Sequence, residues 1–328
     1  MNKSSFRALT RGVLALAVLA SASSAAVASY SEVVFFGDSL SDTGNLYAST
    51  CNTIPASPPY DNGRFSNGPL WSERLAAALG GSATPSLFGG TNYACAGATV
   101  MDFGRPTPEI PQELGMYFAK TGGVASSNAL YVILGGANDI NDAGKNPATA
   151  GANIVMAATA VDSMVEALYA AGARNILVGN LPNIGLTPQA VAGGPAVVAG
   201  ATALSQLFNA TLEGLLAGSE AKDTGLDLDL LDLYGLMNSA VANPSAYGFT
   251  NVTDPCYNGA VGAGGGTVCA SPDSYLFWDA FHPSTVAHSL IADTALRAVP
   301  EPPVLALVAL ALMAMLWFRP SGNVAKGA

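Results

Sequence analysis

The chain has 328 residues, 50% of them hydrophobic and 11% charged, with a formal net charge of −10. Residues 29–298 carry 22 acidic and 8 basic side chains, a net of −14. An acidic body without a basic patch argues against nucleic acid and against charge-driven binding to anionic membranes, and the length allows one large domain or two small ones.

In chain order, the first segment, "MNKSSFRALTRGVLALAVLASASSAAVAS", has Lys3, Arg7 and Arg11, then the apolar run Val13 to Ala20, then small residues ending at Ala28. That three-part pattern predicts a signal peptide over residues 1–28, with cleavage close to Ala28. "EVVFF" (32–36) is a continuous apolar run, as a fully buried strand is. A helix is predicted over 69–79 and a short strand in "NYACAGAT" (92–99) running into Gly97. Strand 129–136 leads to the Ala-rich helix 147–172, which Gly172 closes. Strand 174–180, helix 195–218, strand 226–234 and helix 283–299 follow. Alternating helices and buried strands imply a parallel sheet with helices on both faces. Strand order cannot be read this way. No internal repeat or linker divides the body, so residues 29–298 read as one domain. The loosest stretch is the Gly-rich loop "NGAVGAGGGT" (258–267) between Cys256 and Cys269.

The last segment is an apolar run, Val304 to Phe318, bounded by Pro300, Pro302 and Pro303 before it and Arg319 after it. It is shorter than the about 20 residues of a usual membrane span. It has no polar face, so it does not suit the surface helix of a globular body. The prolines separate it from the preceding helix, and Arg319 fits a cytoplasmic flank. The expectation is a transient inner-membrane anchor.

Ligands in such a sheet sit at the carboxyl ends of the strands. Four polar segments follow strands or precede the last helix: Ser39 after the first strand, Gly97 in "NYACAGAT", Asn138 and Asp139 in "GGANDI", and Asp279 with His282 in "FWDAFHPS". A serine hydroxyl is a weak nucleophile that needs a base and a place for the developing oxyanion. Only His282 and His288 are available as histidine bases. Asp279, three residues before His282, can approach its ring in a turn and fix its tautomer. Taken alone, these residues leave a second reading open: a turn serine, a helix-capping Asp and an incidental surface His. His288 falls within a helical pattern and reads as structural. Asp38 reads as fixing its loop, since its side chain should point away from that of Ser39. No G-x-S-x-G occurs in the chain, which argues against an ordinary α/β-hydrolase. The four cysteines, Cys51, Cys95, Cys256 and Cys269, allow three full pairings in an exported chain. Cys256 with Cys269 is expected across the Gly-rich loop, and Cys51 with Cys95 is the remaining candidate pair. No cysteine or histidine cluster suggests a metal, and no cofactor is expected.

Together these segments resemble the GDSL, or SGNH, lipases and esterases. The four blocks "GDSLSDTGN", Gly97, "GGAND" and "DAFHP" occur in the family's order across about 250 residues. "GRFSNG" (63–68), "NLPNIGLTP" (180–188) and "PDSYLFWDAFHP" (272–283) resemble its plant-type branch and bacterial lipase-like relatives. The resemblance implies a three-layer α/β/α sandwich of flavodoxin type. By position it makes Ser39 the nucleophile, His282 the general base and Asp279 its orienting partner. The oxyanion donors it implies are the Ser39 and Gly97 N–H groups and the Asn138 side chain. Independently, "VPEPP" with the apolar run and Arg319 resembles the PEP-CTERM sorting signal of exopolysaccharide-producing Gram-negative bacteria, with only one arginine where that signal has a cluster. That resemblance implies a processing peptidase as partner and a location in the periplasm, at the cell surface or outside the cell.

The expectation is an exported serine hydrolase acting on acyl esters of lipid or acylated carbohydrate. Acyl transfer to an alcohol by the same residues is a close variant. The alternative of another class is a non-catalytic matrix or surface protein on the same scaffold. A decayed enzyme should have lost one of Ser39, Asn138, Asp279 or His282, and all four are present.

Overall fold

The computed structural model describes residues 30–299; the expected signal peptide and the tail beyond Val299, with its apolar segment, lie outside the described residues. Four strands form one parallel sheet: β1 (Val33–Gly37), β2 (Leu130–Leu134), β3 (Asn175–Gly179) and β4 (Asp227–Leu231), in the order β1-β2-β3-β4. Nine α-helices lie among the described residues: α1 (Asn45–Ser49), α2 (Trp71–Ala78), α3 (Ile110–Thr121), α4 (Ala137–Ala143), α5 (Pro147–Ala171), α6 (Pro188–Ala192), α7 (Pro195–Lys222), α8 (Leu233–Ala242) and α9 (Thr285–Ala298). A small parallel pair, β5 (Asn251–Pro255) and β6 (Tyr275–Phe277), lies apart from the main sheet.

The apolar runs of β1 and β2 follow from burial on both faces, where every residue of each strand is inside. Alternate side chains then enter two separate cores. Val34, Phe36, Tyr131, Ile133, Ile176 and Val178 pack with α3, α5 and α7. Val33, Phe35, Leu130, Val132, Leu134 and Leu177 pack with Trp71 and Leu75 of α2 and Ile291 and Ala295 of α9. This is the expected three-layer α/β/α sandwich.

Strand order decides where a site can form. On the free edge of β1, the Phe35 N–H donates to Thr91 O (3.1 Å), and Tyr93 and Cys95 donate to Phe35 O (2.8 Å) and Gly37 O (3.0 Å). The 91–95 segment therefore extends the sheet past β1, although only Asn92 forms a bridge with Phe35. Counting that segment as a strand, the order is flavodoxin-like, and the chain leaves β1 in one direction before returning on its other side. The topological switch point lies at the end of β1, where Ser39 stands.

Several local outcomes differ from the sequence reading, among them four short helices it did not name, α1, α4, α6 and α8. The expected strand 226–234 stops at Leu231 because Asp232 caps α8, its carboxylate accepting from the Gly235 N–H (2.8 Å). Helix α3 was not expected, although Pro111 in its first turn and Gly122 at its end are ordinary helix limits. Its apolar triplet "MYF" (116–118), with one tyrosine and one phenylalanine, reads as strand-like and obscured it.

Candidate active site

β1 delivers Ser39 through a tightly tied turn. The backbone oxygen of Asp38 accepts from the Ser41 and Asp42 N–H groups, both at 3.0 Å, and its Oδ1 accepts from Leu40 N–H (3.0 Å). Asp38 thus fixes the loop, and burial pushes its carboxyl up to about 6. From the opposite end of the chain, α9 is capped by Ser284, whose Oγ accepts from the Ala287 N–H (3.3 Å). Just before this cap, Asp279 Oδ1 accepts from the Phe281 (2.8 Å) and His282 (2.7 Å) N–H groups. That turn folds the carboxylate under the imidazole three residues on.

His282 Nδ1 lies 2.8 Å from Asp279 Oδ2 and 3.0 Å from Oδ1, and its Nε2 lies 2.8 Å from Ser39 Oγ. All three side chains are buried, none more than 5% exposed. Burial works to raise the Asp279 carboxyl. The charge of His282 and hydrogen bonds from its ring, from Tyr60 and from its backbone outweigh that, so the group sits below the ordinary carboxylate value. Tyr60 O–H donates to Asp279 Oδ2 (2.7 Å) and accepts from the Gly262 N–H (2.9 Å).

Opposite Ser39 runs the loop that carries Gly97. Three buried carboxylates clamp it, one from each of three distant segments. Glu113 of α3 accepts from the Cys95 N–H (2.9 Å) and, with its other oxygen, from the Gly37 N–H (2.8 Å). Asp42 accepts from the Ala96 N–H (2.8 Å) and from Gly44, Asn45 and Leu46 at the start of α1. Asp139 of α4 accepts from Val100 (2.9 Å) and Met101 (2.8 Å). The Asn138 side chain donates to Ala98 O (2.9 Å), and Arg105 donates to Gly97 O (3.1 Å) while paired with Asp142 (2.6 Å). Gly97 itself has φ +87°, a left-handed conformation that glycine accepts without strain. Among the described residues, neither the Ser39 nor the Gly97 N–H has a protein acceptor. Ser39, Gly97, Asn138 and His282 line one open cleft of about 210 Å³, together with Phe65, Asn141, Gln189 and Phe281. The structure thus brings together every residue expected in the catalytic cluster.

The family model described as GDSL-like Lipase/Acylhydrolase matches residues 33–295. The chain belongs to this family. Lipase 1 of Photorhabdus luminescens is 30% identical over 347 residues, covering 86% of this chain and 51% of that protein. The chain therefore spans about half the length of that relative. The phosphatidylcholine-sterol acyltransferase of Aeromonas hydrophila is 27% identical over 332 residues, covering 87% of this chain and 93% of that protein. A solved lipolytic G-D-S-L family protein of Veillonella parvula has a TM-score of 0.43 at 14% identity, covering 81% of this chain and 96% of that one, too remote to bear on activity.

Within this GDSL-family chain, the structure adds residues that no sequence pattern announced. Tyr60 sits 219 positions from Asp279, and Glu113 lies in the unexpected helix α3. Phe65 packs its ring 4.9 Å from that of His282. The motif "GRFSNG" contains Phe65, which was the one available cue. Cys256 and Cys269 are joined by a disulfide. The expected second pair is not formed: Cys51 is exposed just after α1, whereas Cys95 is buried in the segment paired with β1, so both are free. Burial raises the Cys95 thiol, with Asp42 and Glu113 adding to the shift. His288 is fully buried, its Nδ1 accepting from the Trp71 N–H (3.3 Å), and burial holds its ring down at about 3. It is a neutral packing residue.

Proposed function

We propose that this protein is an exported carboxylic-ester hydrolase that works through an acyl-enzyme. Ser39 attacks the acyl carbonyl while His282 Nε2 takes the hydroxyl proton; Asp279 holds the ring with Nδ1 protonated and stabilises the imidazolium. The negative charge on the former carbonyl oxygen is met by the Ser39 and Gly97 N–H groups and the free hydrogen of the Asn138 amide. His282 then returns the proton to the leaving alkoxide, and water repeats the sequence to release the acid. The observation that carries this reading is the continuous hydrogen-bonded line from Ser39 Oγ through His282 to Asp279. The carboxylate stays ionised beside the ring, which the mechanism requires.

The test is a panel of 4-nitrophenyl esters with the full chain beside Ser39→Ala. The variant should keep the thermal transition of the native protein and lose ester turnover. Near-native turnover by a folded Ser39→Ala would remove the nucleophile assignment and with it the reaction.

Acyl transfer to an alcohol is supported as a second reading by the similarity to the Aeromonas acyltransferase over most of that protein. Adding a primary alcohol to the assay separates the two. A transferase yields the new ester in preference to free acid at modest alcohol concentration.

A further inference from the structure

Beyond the small catalytic cleft lies a second, larger recess. A groove of about 650 Å³ runs between α4, the start of α5, α6 and the first half of α7. It abuts the cleft, because Asn141 and Gln189 line both. The Gln189 amide donates to Asn141 Oδ1 at 3.4 Å, a long hydrogen bond spanning the junction. Asn138 and Asn141 stand three residues apart on α4, so they share a face of that helix. A group leaving the carbonyl position beside Asn138 along this face passes Asn141 and enters the groove.

The walls are apolar and built largely from small residues, with Ile140, Ile184 and Leu204 as the larger contributors. They are also free of charge to an unusual extent. Residues 146–161 and 175–212 contain no Asp, Glu, Lys or Arg, in a body whose net charge is −14. These two stretches supply most of the groove, and Lys145 at its rim is already paired with Asp142 (2.5 Å). Val155, Met156, Val191, Val197 and Leu207, on the same two stretches, are exposed large apolar side chains. α5 buries Ile154, Ala157, Ala158 and Val161 against the sheet, so the exposure of Val155 and Met156 belongs to its outer side.

We infer that this groove binds the apolar chain of a long-chain acyl ester whose carbonyl lies at Ser39, so that the groove sets chain-length preference. The inference rests on the ester-hydrolase reading. The occupant follows from the wall shared with the cleft and from the scarcity of free polar partners: Lys145 is paired with Asp142 and Gln189 with Asn141, so a sugar or a charged acyl group would find few partners along these mostly apolar walls.

Gly200 of α7 supplies the test. It lines the groove, and a Cβ built on it meets nothing within 4 Å, so a side chain there fills the groove without disturbing the backbone. Gly214, on the same helix outside the groove, is equally open and serves as the control. With 4-nitrophenyl esters below their aggregation limits, kcat/KM of the native protein should rise about twofold per methylene, roughly half the effect of complete burial. From the C4 to the C10 ester that amounts to about 60-fold. Gly200→Phe should bring the ratio of C10 to C4 values down towards one, while Gly214→Phe should leave that ratio as it is in the native protein. Decanoate should bind Ser39→Ala in calorimetry and lose at least about tenfold in affinity when Gly200→Phe is added.

Turnover of C4 with no preference for longer chains would overturn the groove assignment and leave ester hydrolysis standing. So would a C10 preference that survives Gly200→Phe. Absence of turnover on every ester would remove the hydrolase reading, and decanoate binding that is lost in Gly200→Phe would still identify the groove as a chain site. A native dimer that Gly200→Phe converts to monomer, without change in the C10 to C4 ratio, would place a second copy of the chain there instead.

Discussion

Replacing Asp279 by Asn tests the catalytic line at one proton. Asp279 Oδ1 accepts two backbone N–H groups, from Phe281 and His282. An asparagine must therefore keep its carbonyl oxygen at that position, because an NH2 there would face two donors. Its amide nitrogen is then left at the position of Oδ2, 2.8 Å from His282 Nδ1, where the Tyr60 hydroxyl, unlike the two fixed backbone donors, can turn to accept from it. The NH2 donates to Nδ1, which must lose its hydrogen, and the ring proton moves to Nε2. That nitrogen faces Ser39 Oγ and can no longer accept the hydroxyl proton. The geometry and volume are nearly unchanged, so the fold should persist. The loss should fall on kcat, by on the order of 10⁴, or about 5.5 kcal/mol of transition-state stabilisation. KM should move little. The assay is steady-state hydrolysis of a 4-nitrophenyl butyrate series at pH 8, with thermal unfolding as the control for folding. A folded variant whose kcat lies within tenfold of the native value would refute the reasoning, because either the tautomer or the base would be misassigned.

Asn138→Ala should lower kcat by about 10²–10³ with a much smaller change in KM, as expected for one oxyanion donor; a variant that binds poorly but turns over normally would show Asn138 to be a binding residue. The buried His288 ring has a folded value of about 3 against an ordinary 6.5. The unfolded chain therefore takes up that proton first as pH falls, and the stability it contributes is complete above 6.5 and lost progressively down to 3. Between pH 7.5 and 5 the loss should be about 2 kcal/mol, read from urea midpoints, and His288→Gln should lack that part of the slope; parallel slopes in the two proteins would contradict it. Breaking the Cys256–Cys269 bond, which closes 13 positions, should cost about 3 kcal/mol in the chain-entropy picture. An unchanged denaturation midpoint for the double Cys256→Ser, Cys269→Ser variant would show that the loop is held by its other contacts, such as Gly262 to Tyr60.

The sheet and the central cluster were legible in the linear chain because both are written in local patterns. A strand buried on both faces must be apolar throughout, as "VVFF" and "LYVIL" are. Ser39, Gly97, Asn138 and the Asp279–His282 pair each sit where a strand ends or a helix begins, so short motifs mark them. Strand order was not legible, because every parallel arrangement of these four strands satisfies the same local pattern. It took the pairing of 91–95 with β1 to put the switch point at Ser39. The supporting groups were hidden for the same reason. Tyr60 matters only because the fold carries it to Asp279, and Glu113 only because α3 sets its carboxylate between the Gly37 and Cys95 N–H groups. Nothing in their own neighbourhoods distinguishes them from an ordinary buried tyrosine or a helical glutamate. The cysteines divide along the same line. Cys256 and Cys269 are close in sequence and flank one loop, so proximity foretold their bond, while Cys51 and Cys95 were paired only by elimination and the fold buries one and exposes the other. Local sequence determines what a segment can form and which chemistry it carries; which distant groups meet is decided by packing, because a contact across many residues depends on every element between them.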